Sequence, residues 1–337
     1  MSMTLKATCP EDLLAAVPLV LGFAPEDSLV MLTFGAREQF HARIDLPSDP
    51  AQVDACVEAV LRPAIVHGVT AVVFVQYSPD EVAARLLAGR LAERFGASGI
   101  RIVDSLRVDA GRWFSAEPRP DVPRRGVAFD IADHAFRASA VYDGRVTLDS
   151  RAQVAARVAA DPRLVARTEA ALEEATPLNL SGVVGLVSRS LARGTVTETD
   201  DLASLLLALG DPVVGQQAWS GLRREDAAAH VRLWVDVVRR CPDRLVGPPA
   251  AILALAAWLS GDGALAWCAV DRCLAAAPEE PLGLLVAHAL TEAMPPSRWS
   301  EPPSAVVAGA GRPGPIDGAN DGLGGADGGG EVAAAGG

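Results

Sequence analysis

Aromatic side chains make up only 5% of the 337 residues, so any core here has to be aliphatic and alanine-rich. Recognisable catalytic signatures are missing as well. The chain has no GxxxxGK[ST] phosphate loop, no GxGxxG after a strand, no HExxH and no GxSxG. It therefore lacks the sequence marks of a P-loop, a dinucleotide fold, a zincin or a nucleophile elbow. The five histidines, at 41, 67, 134, 230 and 288, stand far apart. Triads assemble in space, but nothing in the sequence points to one.

Cysteine is also sparse. Cys9, Cys56, Cys241, Cys268 and Cys273 form no CxxC pair and are odd in number. They read as reduced, buried thiols, which suits the cytoplasm. Long apolar runs are absent: the longest, 13–23 and 249–259, fall short of the roughly 20 residues that span a bilayer. No signal peptide is visible, and no membrane role is expected. The net charge of -12 leaves too little positive charge for broad contact with a phosphate backbone, so no nucleic-acid partner is expected.

What is present is regular patterning. Residues 11–35, EDLLAAVPLVLGFAPEDSLVMLTFG, read as helix, stop, turn and strand. Thr8 and Glu11 have capping-box spacing, Pro18 predicts a kink or a short helix, and Gly22 suits a left-handed C-cap. Glu26 and Asp27 then read as solvated turn residues. In QFHARIDLP, Phe40, Ala42, Ile44 and Leu46 alternate with polar residues, as in a half-buried strand. Val53, Cys56, Val57, Val60, Leu61, Ala64 and Ile65 form one helical stripe. VTAVVFVQY is apolar on both faces and predicts a central strand. A helix over 80–95 and a strand over 100–108 follow, and the alternation indicates a mixed sheet with flanking helices containing a parallel pair.

Residues 109–132 read as loop-rich. From about 149 the pattern is helical only, over 151–160, 163–174, 181–193, 199–209, 225–240, 249–260, 263–276 and 280–293. The expected organisation is an α/β domain over 1–148 and an all-α helical-hairpin domain over 149–295. Residues 296–337 form a disordered glycine-rich tail in this reading, because the last 37 residues hold twelve glycines and carry a charge of -4. Within 249–278, Gly261, Ala266, Cys273 and Pro278 match the offsets of a tetratricopeptide-like helix pair.

Five residues are candidates for ligand binding. Asp104 shares strand parity with Ile100, Ile102, Leu106 and Val108, and a carboxylate among apolar neighbours needs a partner. Arg112, just past the Gly111 turn, is the expected partner. Otherwise Asp104 is a turn residue at the carboxyl edge of the sheet. Arg112 beside Trp113 suits a planar anion, or else Trp113 fills a seam behind a hairpin. Tyr77 ends the central strand and would complete the pocket. Asp45 could share a divalent cation with Asp104, but the third ligand is missing. No metal, cofactor or catalytic residue is assigned.

Taken together, DLLAAVPLVLGFAPEDSLVMLTF, ARIDLP, SLRVDAGRWFS, GRVTLDSR and AAWLSGDGALAWCAVDRCLAAAP resemble the actinobacterial domain-of-unknown-function family 4192, over residues 4–295. The family has no assigned activity, so the resemblance implies no catalytic residues. Many members carry cysteines after the GRW segment. AEPRPDVPRRGVAFD has none here, so no zinc or redox role is implied for that loop. The leading expectation is a non-enzymatic binding or scaffold protein with a protein partner at its helical domain. The alternative is an enzyme or small-ligand binder with a site near Asp104 and Arg112.

Overall fold

The computed structural model describes residues 7–36, 40–117, 119–142, 147–193, 195–196 and 198–299. The tail predicted over 296–337 lies outside the described residues from position 300 onward.

Helix α1 (Pro10–Leu21) ends at Gly22, whose φ of 80° is the left-handed cap the sequence predicts. The helix runs on through Pro18. Burial of Leu14, Ala15, Ala16, Val17 and Leu19 offsets the lost backbone bond, since packing supplies most helix stability in proteins. Its start is capped by Asp12 rather than Glu11. The Asp12 carboxylate accepts from the Thr8 amide at 2.7 Å, the Thr8 hydroxyl at 2.8 Å and the Cys9 amide at 3.3 Å.

Strands β1 (Ser28–Phe34) and β2 (His41–Asp45) pair antiparallel. Helix α2 (Val53–Val66) leads to β3 (Ala71–Tyr77), and α3 (Glu81–Ala97) leads to β4 (Arg101–Asp109). Strands β5 (Arg112–Ser115) and β6 (Val127–Ala128) complete a sheet in the order β2-β1-β3-β4-β5-β6. Among the described strand pairs of this sheet, only β3–β4 is parallel. The mixed sheet with flanking helices is therefore present. The loop-rich stretch over 109–132 also holds β5 and β6, and β4–β5 is a hairpin as expected around Trp113. Ala110 and Gly111, at φ 47° and 71°, make the two-residue turn into β5, since both central positions of a type I′ hairpin turn need positive φ.

Each sheet face has its own core. Leu29, Met31, Val72 and Phe74 pack with Val57, Leu61, Leu87, Leu91 and Phe95 on the α2/α3 side. Val30, Leu32, Val73, Val75 and Leu106 pack with Leu14, Val17 and Trp113 on the α1 side. Strand β4 changes sides part-way. Val72 pairs with Ile102 but Val73 pairs with Asp104, so Val103 is bulged out, and it is exposed. Ile102 packs on the α2/α3 side and Leu106 and Val108 on the α1 side. The single-parity reading of this strand is corrected by that one extra residue.

Ten further helices follow in chain order among the described residues: α4 (Ala135–Tyr142), α5 (Arg151–Ala156), α6 (Pro162–Leu172), α7 (Leu180–Arg193), α8 (Thr199–Leu209), α9 (Pro212–Gln216), α10 (Ala227–Arg240), α11 (Gly247–Ser260), α12 (Gly263–Ala276) and α13 (Pro281–Thr291). Aspartates cap several of them: Asp161, Asp211 and Asp262 each accept from first-turn amides. Helix α11 is apolar all round and buried all round, and it packs against α10, α12 and α13. Residues 249–278 fall on the α11–α12 pair.

The two ends of the helical half are tied to the segments that follow α1 and α2. Leu148 pairs with Phe23, and His67 Nε2 lies 2.9 Å from the Glu292 carbonyl. Among the described residues, no helix is long and apolar enough to cross a membrane.

Candidate functional site: an arginine-walled cleft

Strands β3 and β4 run parallel, so their carboxyl ends emerge side by side, the place where open α/β sheets put ligands. Gln76 and Arg107 are register partners there, and Phe114 of β5 pairs across from Arg107. The first turns of α3 bring Glu81, Ala84 and Arg85, and the segment after β5 brings Arg119 and Arg124. Together they wall a cleft of about 500 Å³.

Arg107 is the core of this cleft. It is 7% exposed, its Nη1 donates to the Ser78 carbonyl at 3.0 Å, and Asp109 lies 3.5 Å away. Its guanidinium sits 3.9 Å over the Phe114 ring, a cation–π stack that fixes its plane. Gln76 is fully buried. Its amide nitrogen donates to the Ala84 carbonyl at 3.1 Å, which leaves Oε1 as a buried acceptor without a partner. Such an acceptor costs stability, and native proteins carry few of them. Arg85 is paired with Glu81 at 2.6 Å on an exposed arm, and the half-buried Arg119 is paired with Asp121 at 3.3 Å and with Asp104 at 3.4 Å.

None of the five candidates read from the sequence is a lining residue of the cleft. Asp104 lies inside β4, with a side chain 16% exposed. Its partner is Arg119, at 3.4 Å, rather than Arg112. Arg112 donates to the carbonyls of Arg125 and Gly126 at 2.8 and 3.3 Å, holding the far end of the loop that follows β5. Trp113 is buried on the α1 side, and its Nε1 donates to Glu11 at 2.9 Å. Tyr77 packs into the same cluster, and burial pushes its hydroxyl well above its ordinary pKa. Asp45 pairs with Arg43 at 2.7 Å on the edge strand β2. Strands β1 and β3 separate it from Asp104, so the two acids do not share a cation. No cluster of metal-ligating side chains is present among the described residues.

Sequence reading missed Gln76 and Arg107. Gln76 interrupts an otherwise apolar strand, and that was the available signal. Arg107 was hidden because an unbroken β4 places it on the solvent face.

A family model described as a domain of unknown function, DUF4192, matches residues 10–297. The chain belongs to the DUF4192 family. The DUF4192 match contains all six strands and every lining residue of the cleft. No curated protein and no solved structure matches the chain.

The start of the DUF4192 region is held by charge. The Thr8 amide and hydroxyl lower the Asp12 pKa to about 2, and His134 adds a contact at 3.1 Å. A depressed carboxylate contributes stability that is full above its unfolded value near 4 and is lost as pH falls through about 2. Asp12→Asn is expected to lower stability by about 1–2 kcal/mol at pH 7, the scale of a lost helix cap. Urea midpoints measured from pH 6 to pH 2 should converge for the two proteins at the acid end. Parallel curves across that range would show that Asp12 does not carry the effect.

Proposed function

We propose that this protein is a cytoplasmic binding protein that takes a small oxyanionic molecule into the arginine-walled cleft. The observation that carries the reading is Arg107: a guanidinium buried at the carboxyl end of a parallel strand pair, stacked on Phe114 and open to a cleft with three more arginines. Arginine presents a rigid fork matched to carboxylate and phosphate oxygens. The cleft volume lies in the range that small ligands occupy. In a chain of charge -12, a local group of arginines selects a small anion and does not make the surface attractive to polyanions. Five unpaired cysteines support the cytoplasmic assignment.

Isothermal titration with methyl phosphate, at fixed ionic strength, tests the reading. Arg107→Met should weaken binding by about 10- to 100-fold, the scale of charge-assisted hydrogen bonds. Glu81→Gln should strengthen binding, because it removes a negative charge from the wall and frees Arg85. Unchanged affinity in both variants would place the anion elsewhere.

A further inference from the structure

The wall of the cleft continues outward into an apolar rim. Glu81 and Arg85 line the cleft on one side and a second, shallower depression on the other, where Val82 and Leu86 complete the lining. Val82 is 80% exposed and Leu86 45%. They stand four residues apart on α3, so their side chains are neighbours along one stripe. Arg85 lies between that stripe and the cleft, and its methylene stem carries apolar surface from one to the other. Single exposed apolar residues are ordinary on a protein surface. Two of them one turn apart, sharing a wall with a cationic cleft, form a continuous amphipathic track.

We propose that the ligand is an amphiphile with an oxyanionic head at Arg107 and a short alkyl chain lying over Val82 and Leu86. This rests on the anion-binding reading above and deepens it. Charge complementarity selects the head, since four arginines line the cleft against two glutamates, Glu81 and Glu117, and Arg107 is the buried one. The chain then runs outward, because Val82 and Leu86 are the exposed apolar pair that shares the Glu81–Arg85 wall on its outer side. A full-length extended lipid is not required: the stripe covers one helical turn, about 6 Å between neighbouring side chains, which suits a chain of a few carbons.

The test compares methyl phosphate with hexyl phosphate on the full chain by isothermal titration. A fully buried methylene is worth roughly fourfold in affinity and a half-buried one about twofold, so the additional carbons of hexyl phosphate should tighten binding about 30-fold. In the Val82→Gln, Leu86→Gln double variant that ratio should fall to near one, with methyl phosphate affinity unchanged. Hexanoate in parallel distinguishes a carboxylate head from a phosphate head. Equal affinity for methyl and hexyl phosphate in the unaltered protein would overturn the apolar track and leave the anion site standing. Binding of neither would overturn the anion site itself. A ratio that survives in the double variant would put the chain on another surface and also defeat the proposal.

Discussion

Trp234→Ala is expected to destabilise the protein by about 3–5 kcal/mol, the range for removing a large aromatic from a packed core. Trp234 is among the largest side chains here that are fully buried. It sits on α10, which packs against α11, α6 and α7, so truncation opens a cavity where helices meet and cannot collapse freely. A polar loss adds to the apolar one. Trp234 Nε1 lies 3.3 Å from His230 Nδ1, one turn earlier on the same helix. Burial lowers the His230 pKa, which keeps the ring neutral and able to accept that bond. Alanine leaves the His230 nitrogen buried without its donor. Trp234→Phe keeps most of the volume and should cost less than half as much. Urea unfolding monitored by circular dichroism measures both. A cost below 1 kcal/mol for Trp234→Ala would mean that α10 does not pack as described.

The long, strongly periodic elements were legible in the sequence because burial and periodicity agree there. The stretch from Glu11 to Gly35 folds as helix, stop, turn and strand, and Gly22 ends the helix through a backbone angle that the residue type announces. The two-sided apolar run at 71–77 is the central strand for the same reason. What escaped depends on partners distant in sequence. The bulge at Val103 has no local mark, since it is set by how β4 registers against β3. That one residue separates Ile102 from Asp104, Leu106 and Val108, which keep their common parity, and it sets Arg107 in register with Gln76. Strand β6 is two residues long and exists only through pairing with β5. Helix α9 is a five-residue turn held by its Asp211 cap, too short to show a period. The cap of α1 fell one residue from its expected place because Asp12, not Glu11, reaches back to Thr8, while Glu11 is engaged by Trp113 from the far end of the sheet.

Gly126→Val should cost about 2–5 kcal/mol and weaken anion binding in the same protein. Gly126 has φ of 71°, where an L side chain costs about 1–2 kcal/mol. The space is closed as well. A Cβ at this position would lie 2.7 Å from Phe114 Cε1, 2.8 Å from Cζ and 2.9 Å from the Trp113 carbonyl oxygen. The carbonyl cannot yield, because Trp113 is paired with Val127 of β6 next door. The Phe114 ring therefore has to move, and overpacking of this kind costs about 1–3 kcal/mol. Arg112 limits any retreat of the loop, since it donates to the Gly126 carbonyl. The Phe114 ring is what the Arg107 guanidinium rests on, so its displacement releases the plane of the buried cation. Gly126→Ala imposes the same first contact without the branched methyls and should give a smaller loss of both kinds. Urea midpoints and methyl phosphate titrations on the two variants separate the links in the chain. Lost stability with intact binding would show that Arg107 holds its orientation without Phe114. A neutral Gly126→Ala would show that the loop, rather than the ring, gives way.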